Sequence, residues 1–396
     1  MPDTSGHPCP CCHARAMAIF HELAAVPANS CILVPSRQEA RDYPGGAIQL
    51  AFCRGCGFIS NLAFEPDLAE YSGRYEETQS YSATFKHFHR ELAQRLVERY
   101  QLRGKKIVEI GCGKGEFLQL MCELGDNHGV GFDPGVQPDR IESSASGRMQ
   151  FIADFYSEKY LEQQADFIVC KMTLEHIPNA ASFIATVRRA IGDRVGTTVF
   201  FQVPDATRIL RECAFEDIYY EHCSYFSPGS LARLFRSNGF EVLDLAVEYG
   251  GQYLTLEARA VAETTSRQPL PLEDDLPQLA SLVSDFPQRL QNKRRHWASR
   301  LGGLAGRGQR TVIWGAASKA VAMLSTVSEA EFISYGVDIN PHKHGYFLPG
   351  SGLPIVGPEF LREYAPEMVV IMNPLYRQEI ERDLQQLGLT PELVTL

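Results

Sequence analysis

The chain lacks any run of about 18 apolar residues, the length a helix needs to cross a bilayer, so no membrane span is expected. Met1 to Pro10 have neither a basic start nor an apolar core, which argues against a secretory signal. No internal repeat and no low-complexity tract occurs. A basic excess is missing too: 38 lysines and arginines stand against 48 acids, for a net charge of −10. That balance argues against a nucleic-acid partner, which would favour a basic face. It leaves room for an anionic small molecule, because one local cluster of Lys and Arg can hold a phosphate. Eleven cysteines without an export signal point to metal ligands and buried thiols rather than disulfides, and to the cytoplasm as compartment.

What is present describes a soluble globular chain: 396 residues, 44% hydrophobic and 22% charged. That length is too great for one ordinary core, so two or three domains are expected. Residues 1–75 carry two Cys pairs and many turn formers. Residues 76–262 alternate strand-like and helix-like stretches, the mark of an α/β sheet. Glu263 to Pro277 is polar and contains proline, as a linker would. The apolar side formed by Leu279, Leu282, Phe286, Leu290, Trp297, Leu301 and Leu304 then predicts a helix, kinked or restarted at Pro287 and ended by Gly306 and Gly308. A second α/β unit follows in 263–396, with strands expected at Thr311–Trp314, Phe332–Val337 and Met368–Met372.

Cys9 and Cys12 form one Cys-x-x-Cys pair, and Cys53 and Cys56 another. Four thiolates satisfy a tetrahedral zinc ion, and a two-residue gap lets one turn present two sulfurs to one metal. Gly55 and Gly57 give the second turn its backbone freedom. Cys11 and His13 are rival ligands beside the first pair. No open metal position is suggested, so a structural zinc is expected.

Lys105 to Ile110 reads as a strand running into Gly111-Cys112-Gly113-Lys114-Gly115 and then a helix, Glu116 to Leu124. Glycines at a strand-to-helix turn let backbone approach a ligand closely. A dinucleotide would use such a turn, and an NAD dehydrogenase is the competing reading of this segment. Two features favour S-adenosylmethionine. Glu109 precedes the loop, where an acid can position the cofactor's amino-acid part. A second strand, Gly129 to Asp133, ends in an acid 20 residues after Gly113, the right distance for both ribose hydroxyls. Asp154 is placed to hold the adenine amine, and Phe155 to lie on the ring. Phe117 closes the loop, while Pro134, after the second strand, and Met172, the last residue of a fourth strand expected at Asp166 to Met172, complete the expected cofactor set.

These residues, with several others, resemble the three-domain sugar C-methyltransferases, which methylate a carbon of a nucleotide-linked keto-deoxysugar. The likeness covers nearly the whole length. Tyr219-Tyr220-Glu221-His222-Cys223-Ser224-Tyr225-Phe226-Ser227 is similar to that family's Tyr-His-Glu-His-Leu-Ser-Tyr-Phe-Ser signature. Trp314-Gly315-Ala316-Ala317-Ser318-Lys319 is similar to its Tyr-Gly-Ala-Ser-Ala-Lys turn, and Val337 to Lys343 with Gly345, Leu348-Pro349-Gly350 and Ile355-Val356 to the next landmark. The resemblance implies a small N-terminal zinc domain with four cysteine ligands, a class I Rossmann-like methyltransferase domain and a C-terminal Rossmann-like substrate domain. The chain departs from the pattern in three places. Tyr220 replaces the first His, Gly250-Gly251-Gln252-Tyr253-Leu254 replaces Gly-Gly-Ser-Leu-Arg, and Glu77 stands at the second of two paired aromatics, of which Tyr75 remains. Such departures suit a divergent member with a different acceptor.

The chemistry implied needs a base, because carbon becomes a nucleophile only when deprotonated beside a ketone. By the resemblance His222 is that base, Glu221 the adjacent substrate-binding carboxylate, and Tyr219 and His176 polar groups of the pocket. Tyr75 and Tyr225 belong to the substrate side. Ser318 and Lys319, at a strand-to-helix turn, suit a diphosphate, although a tight turn with a solvated lysine explains them equally. The expected partner is a small molecule, a nucleotide-linked sugar, with no nucleic acid, no membrane and no need of a second subunit. Methylation of oxygen or nitrogen, or a zinc-containing scaffold that has lost catalysis, are the alternatives.

Overall fold

The computed structural model describes residues 6–137, 139, 145–262 and 268–396. Short apolar strands alternate with helices through the middle of the chain, and a parallel sheet results. Its seven strands run in the order Phe240–Glu248, Tyr253–Ala260, Thr198–Pro204, Phe167–Lys171, Lys106–Ile110, His128–Phe132 and Met149–Ile152. The last five are mutually parallel, whereas Tyr253–Ala260 is antiparallel to both its neighbours. Strand order reverses at Lys106–Ile110, flanked by the next strand in sequence and by Phe167–Lys171. Ligands of open α/β sheets bind in the crevice at such a reversal, outside the strands' carboxyl ends. The strands expected at 105–110, 129–133 and 166–172, and the helix expected at 116–124, lie where the sequence places them to within one residue at each end.

The N-terminal sheet pairs Met17–Pro27 with Gly45–Cys53 and that with Ile59–Asn61. Its fourth strand is Ser224–Tyr225, from within the signature segment. The N-terminal region therefore does not close its sheet alone, and the signature is held against it by backbone bonds.

In the C-terminal unit a six-stranded sheet contains Thr311–Trp314, Tyr335–Val337 and Met368–Ile371, mutually parallel neighbours around the first. The expected strand at 332–337 begins only at Tyr335, because Ser328–Phe332 winds as a 3-10 helix. Pro287 neither breaks nor restarts the long helix, which runs unbroken from Leu276 to Gly306 with Leu279, Phe286, Leu290, Trp297, Leu301 and Leu304 buried. Burial of that apolar side outweighs the one backbone bond that proline forfeits. Of the expected linker, 263–267 lie outside the described residues. The part that follows is pinned: Glu273 pairs with Arg236 at 2.7 Å and Asp275 with Arg233 at 2.8 Å.

The C-terminal unit also binds the middle one. Gln252 and Asn373 exchange two amide hydrogen bonds, at 2.9 and 3.1 Å, both buried. Glu379 accepts from the hydroxyls of Ser82 and Thr84 at the start of helix Ala83–Arg99, where a carboxylate is also favoured by the helix dipole. Among the described residues, no helix is long and apolar enough to cross a membrane.

Candidate active site

The four paired cysteines come together. Cys9 and Cys56 sulfurs are 3.6 Å apart, as are those of Cys12 and Cys53, and all four lie within 4.8 Å of one another. Zinc–sulfur bonds of about 2.3 Å require sulfurs roughly 3.8 Å apart on a tetrahedron. The donor set and its spacing therefore fit zinc. Neither rival belongs to the group: Cys11 turns its backbone N–H toward Cys9 Sγ, and His13 is exposed.

At the carboxyl edge of the central sheet lies a cavity of about 380 Å³. It is lined by Glu109, Gly111, Cys112, Gly113, Phe117, Asp133, Pro134, Asp154, Phe155 and Met172, as the sequence predicts. Gly115, by contrast, is absent from that lining. It caps helix Glu116–Gly125 in a left-handed conformation, so it shapes the turn rather than facing the cavity. Gly111 has φ +70°, and a Cβ there would stand 1.9 Å from Thr173 Oγ1. Gly111→Ala is thus expected to lower stability by about 1–3 kcal/mol through backbone strain and overpacking. Thermal unfolding checks this, and calorimetry with S-adenosylhomocysteine should show weakened binding alongside it.

The acids of this cavity differ in how they are held. Asp133 accepts from the backbone N–H groups of Gly113 at 3.0 Å and Gly135 at 2.8 Å, so it ties the loop to the second strand. Glu109 is buried with one carboxylate oxygen unpaired, and burial raises its pKa. An unmet buried oxygen of this kind suits the ammonium of an amino-acid ligand. Asp154 is bonded to Lys159 and accepts from Tyr160 Oη at 2.6 Å, and Phe155 is 60% exposed at the cavity rim.

Two residues that sequence reasoning missed also line this cavity. Lys171 ends the apolar strand Phe167–Lys171, with its Nζ 2.8 Å from His89 Nε2 and 4.2 Å from the centre of the Phe117 ring. Burial lowers the pKa of both Lys171 and His89. A lysine closing an otherwise apolar strand was the available signal for one; His89 sits unmarked on an amphipathic helix.

A second cavity, of about 300 Å³, adjoins the first. The two share Tyr75, Glu77, Thr78, Gln79, Met172 and His176 as lining. Tyr219, His222, Ser318 and Lys319 line the second, so regions distant in sequence meet there. The His222 ring lies 4.0 Å from that of Tyr219 and 4.9 Å from that of His176, between centroids. Its Nδ1 has no hydrogen-bond partner. Burial holds His222 well below the ordinary imidazole pKa, and neighbouring His176 and Lys319 push the same way. His176 is lowered to about 4 by burial, and its Nδ1 is 2.9 Å from Tyr71 Oη. Both imidazoles are therefore neutral at physiological pH.

Two expected substrate contacts do not face this cavity. Glu221 is wholly buried and accepts from Ser30 Oγ at 2.6 Å, Ser30 N at 3.1 Å and Tyr75 Oη at 2.9 Å. Its oxygens are occupied by the N-terminal region, so it anchors the signature segment and orients Tyr75. Tyr225 is in the strand paired with Ile59 and likewise does not line the cavity. Tyr220, the departure from the family signature, also points away: its hydroxyl accepts from Glu65 N at 2.8 Å, and its ring covers Gly46. That substitution therefore does not alter the cavity wall, whereas Glu77, Gln252 and Tyr253 do line it. Lys319 is bonded to Asp217, whose other oxygen accepts from Arg208 at 2.6 Å. Ser318 Oγ lies 2.8 Å from Ser30 Oγ and donates to it, because the Ser30 hydroxyl proton goes to Glu221.

Comparison with known proteins matches two stretches of the chain. Residues 85–245 match the family model described as a methyltransferase domain, and 273–390 the one described as a C-methyltransferase C-terminal domain. The chain is 27% identical over 349 residues to C-methyltransferase NovU of Streptomyces niveus, across 84% of this chain and 81% of that one. It is 31% identical over 112 residues to the ubiquinone biosynthesis O-methyltransferase of Pseudomonas fluorescens strain SBW25, across 27% of this chain and 47% of that one. A solved structure of magnesium protoporphyrin IX methyltransferase from Synechocystis PCC 6803 with bound SAH aligns at a TM-score of 0.36 and 16% identity, over 45% of this chain and 84% of that one, a likeness too slight to argue from. The glycine loop, its acids and these matches make the chain an S-adenosylmethionine-dependent methyltransferase of the α/β Rossmann-like fold, similar over most of its length to a protein named as a C-methyltransferase.

Proposed function

We propose that the chain methylates carbon: it deprotonates a carbon next to a ketone and transfers a methyl group to it, on a nucleotide-linked keto-deoxysugar or a related biosynthetic intermediate. The observation that carries this reading is the placement of His222. A neutral imidazole with an unpaired nitrogen stands on the wall of one cavity, and that cavity shares six lining residues with the cofactor cavity. Methylation of an oxygen or nitrogen that already carries a lone pair has less need of a buried base. The similarity to a protein named as a C-methyltransferase supports the same choice.

S-adenosylmethionine, when bound, supplies the methyl group as an electrophilic sulfonium. Glu109 and Asp133 would hold its amino-acid part and ribose, and Asp154 with Phe155 its adenine. His222 takes the proton from carbon, and Tyr219, its ring tilted against that of His222, lies on the wall where the enolate oxygen would form. His176, fixed by Tyr71, lines both cavities and helps exclude water between them. Ser318 and Lys319 start the helix Ser318–Thr326 and would meet a diphosphate, which then shares the Lys319 amine with Asp217. Zinc held by Cys9, Cys12, Cys53 and Cys56 has a structural role. The domains are read as 1–75, 76–262 and 263–396, with the signature segment bridging the first two.

Asp133→Ala should weaken S-adenosylhomocysteine binding by about 1.5–3 kcal/mol, the cost of losing charge-assisted hydrogen bonds. Calorimetry decides it, and unchanged affinity would mean that another acid holds the ribose. The reading as a whole is tested by incubating the enzyme with a labelled methyl donor and a panel of nucleotide-linked keto sugars, followed by mass spectrometry and carbon NMR. Label on a carbon next to the ketone is the expected result; label on oxygen or nitrogen overturns it.

A further inference from the structure

Glu175 has no part in the roles above. It lies in the turn Leu174–His176 that follows strand Phe167–Lys171, is 1% exposed, and lines the second cavity. Neither carboxylate oxygen has a hydrogen-bond partner. Its Oε1 is 4.0 Å from His222 Nε2. Buried carboxylates are normally paired or hydrogen-bonded, because leaving one unmet is costly. A carboxylate kept in this state opposite an imidazole is placed for a charge that arises only during turnover.

We propose that Glu175 is the counter-charge of His222, a positioning residue that stabilises the imidazolium formed when His222 takes a proton from the substrate carbon. This rests on the base role given to His222 above. In that step the C–H bond breaks, its proton goes to the His222 ring, and its electron pair remains on the substrate. The pair then forms the bond to the transferred methyl group, whose former bonding electrons stay on sulfur. The ring is left positively charged although it is buried.

The other groups facing the ring do not supply the balancing charge. His176, in the same turn as Glu175, and Lys319, on helix Ser318–Thr326, both disfavour a cation. Glu221 is already engaged by Ser30 and Tyr75. Burial keeps Tyr219 and Tyr225 un-ionised and pushes the Cys223 thiol up to about 12. Burial raises Glu175 to about 8 and lowers His222, because each group when charged alone lacks a partner; a charge on either one favours the charge on the other.

The test needs no acceptor substrate and so is independent of which atom is methylated. Full-length, zinc-loaded protein carrying nitrogen-15 histidine is titrated by NMR with S-adenosylhomocysteine bound, and the His222 signals are identified by their loss in His222→Asn. In Glu175→Gln the His222 protonation midpoint should fall by at least about one pH unit, roughly a tenfold loss of proton affinity. Glu175→Asp, which keeps the charge, should recover part of that shift and remains the working variant if the glutamine protein folds poorly. A side chain that serves packing alone would leave the ring's titration unmoved. Superposable His222 titrations in wild type and Glu175→Gln overturn the proposal. So does a second bound metal ion beyond zinc that is lost with Glu175, since Glu175, His176 and His222 offer ligand atoms within 4.8 Å of one another.

Discussion

Replacing His222 with asparagine is expected to lower turnover by about 10²–10⁴, the usual worth of a positioned general base. Asparagine keeps much of the ring's volume and can still form hydrogen bonds, but it cannot accept a proton at neutral pH. The ring is 3% exposed and packed between Tyr219 and His176, so a smaller side chain would also open a void. Rate alone therefore does not separate chemistry from packing. Exchange of the substrate's acidic hydrogen for solvent deuterium does, because it reports deprotonation directly. The variant should stop exchanging while its affinity for S-adenosylhomocysteine stays close to wild type, since Glu109, Gly113 and Asp133 line the other cavity. Exchange at the wild-type rate would remove His222 from the base role and leave His176 as the next imidazole facing both cavities. The sign of the pH dependence follows from burial. Because His222 is held below the ordinary value of about 6.5, its neutral form persists into mildly acidic solution. An acid limb set by His222 alone would lie below that value; one lying nearer 8 would instead report the proton held by Glu175.

The second large effect is expected from Cys53→Ser. Structural zinc sites in small domains contribute about 10–16 kcal/mol of folding free energy, so losing one thiolate should lower both metal content and thermal stability. The four cysteines tie the turns at 9–12 and 53–56 together at the end of a sheet in which Met17 pairs with Cys53. Damage there should spread. The strand Ile59–Asn61 holds Ser224–Tyr225, and Ser30 supplies two of the donors that fix Glu221. Turnover should therefore fall by a larger factor than affinity for S-adenosylhomocysteine, whose cavity is built mainly on the central sheet. Metal analysis, a thermal scan and calorimetry on the same preparation check the three parts. Wild-type protein purified without chelators, fully folded and free of metal, would overturn the zinc assignment.

How far the site was legible depended on how local its geometry is. The glycine loop and Asp133 lie within one strand–helix–strand unit, where backbone conformation alone brings the strand ends together. Gly113 N meets Asp133 Oδ2 across 20 residues because adjacent parallel strands end at the same edge. The Cys-x-x-Cys pairs are equally local, and only their meeting, with Cys12 and Cys53 separated by 41 positions, needed the sheet between them. The signature segment is different. Tyr219 and His222 face the cavity while Tyr220, Glu221 and Tyr225 face the N-terminal region. Residue type marked this segment as the pocket, but direction was set by a two-residue strand whose partner, Ile59, lies far back in the chain.

By itself, then, the sequence determined the cofactor fold and the four thiols, because each rests on spacing within a few turns of chain, whereas His222 came forward as candidate base through the resemblance of its segment to a family signature. Tertiary structure alone decided which acid stands against His222. Glu175 is next to His176 in the chain and looks like one more turn residue. It becomes distinctive only when the fold brings His222 to within 4.0 Å of it and no donor reaches its oxygens. The same holds for Lys171 with His89, joined across 82 residues, and for Gln252 with Asn373, joined across 121. Burial and unmet hydrogen-bonding capacity are properties of the surroundings, and surroundings are what a linear spacing does not contain.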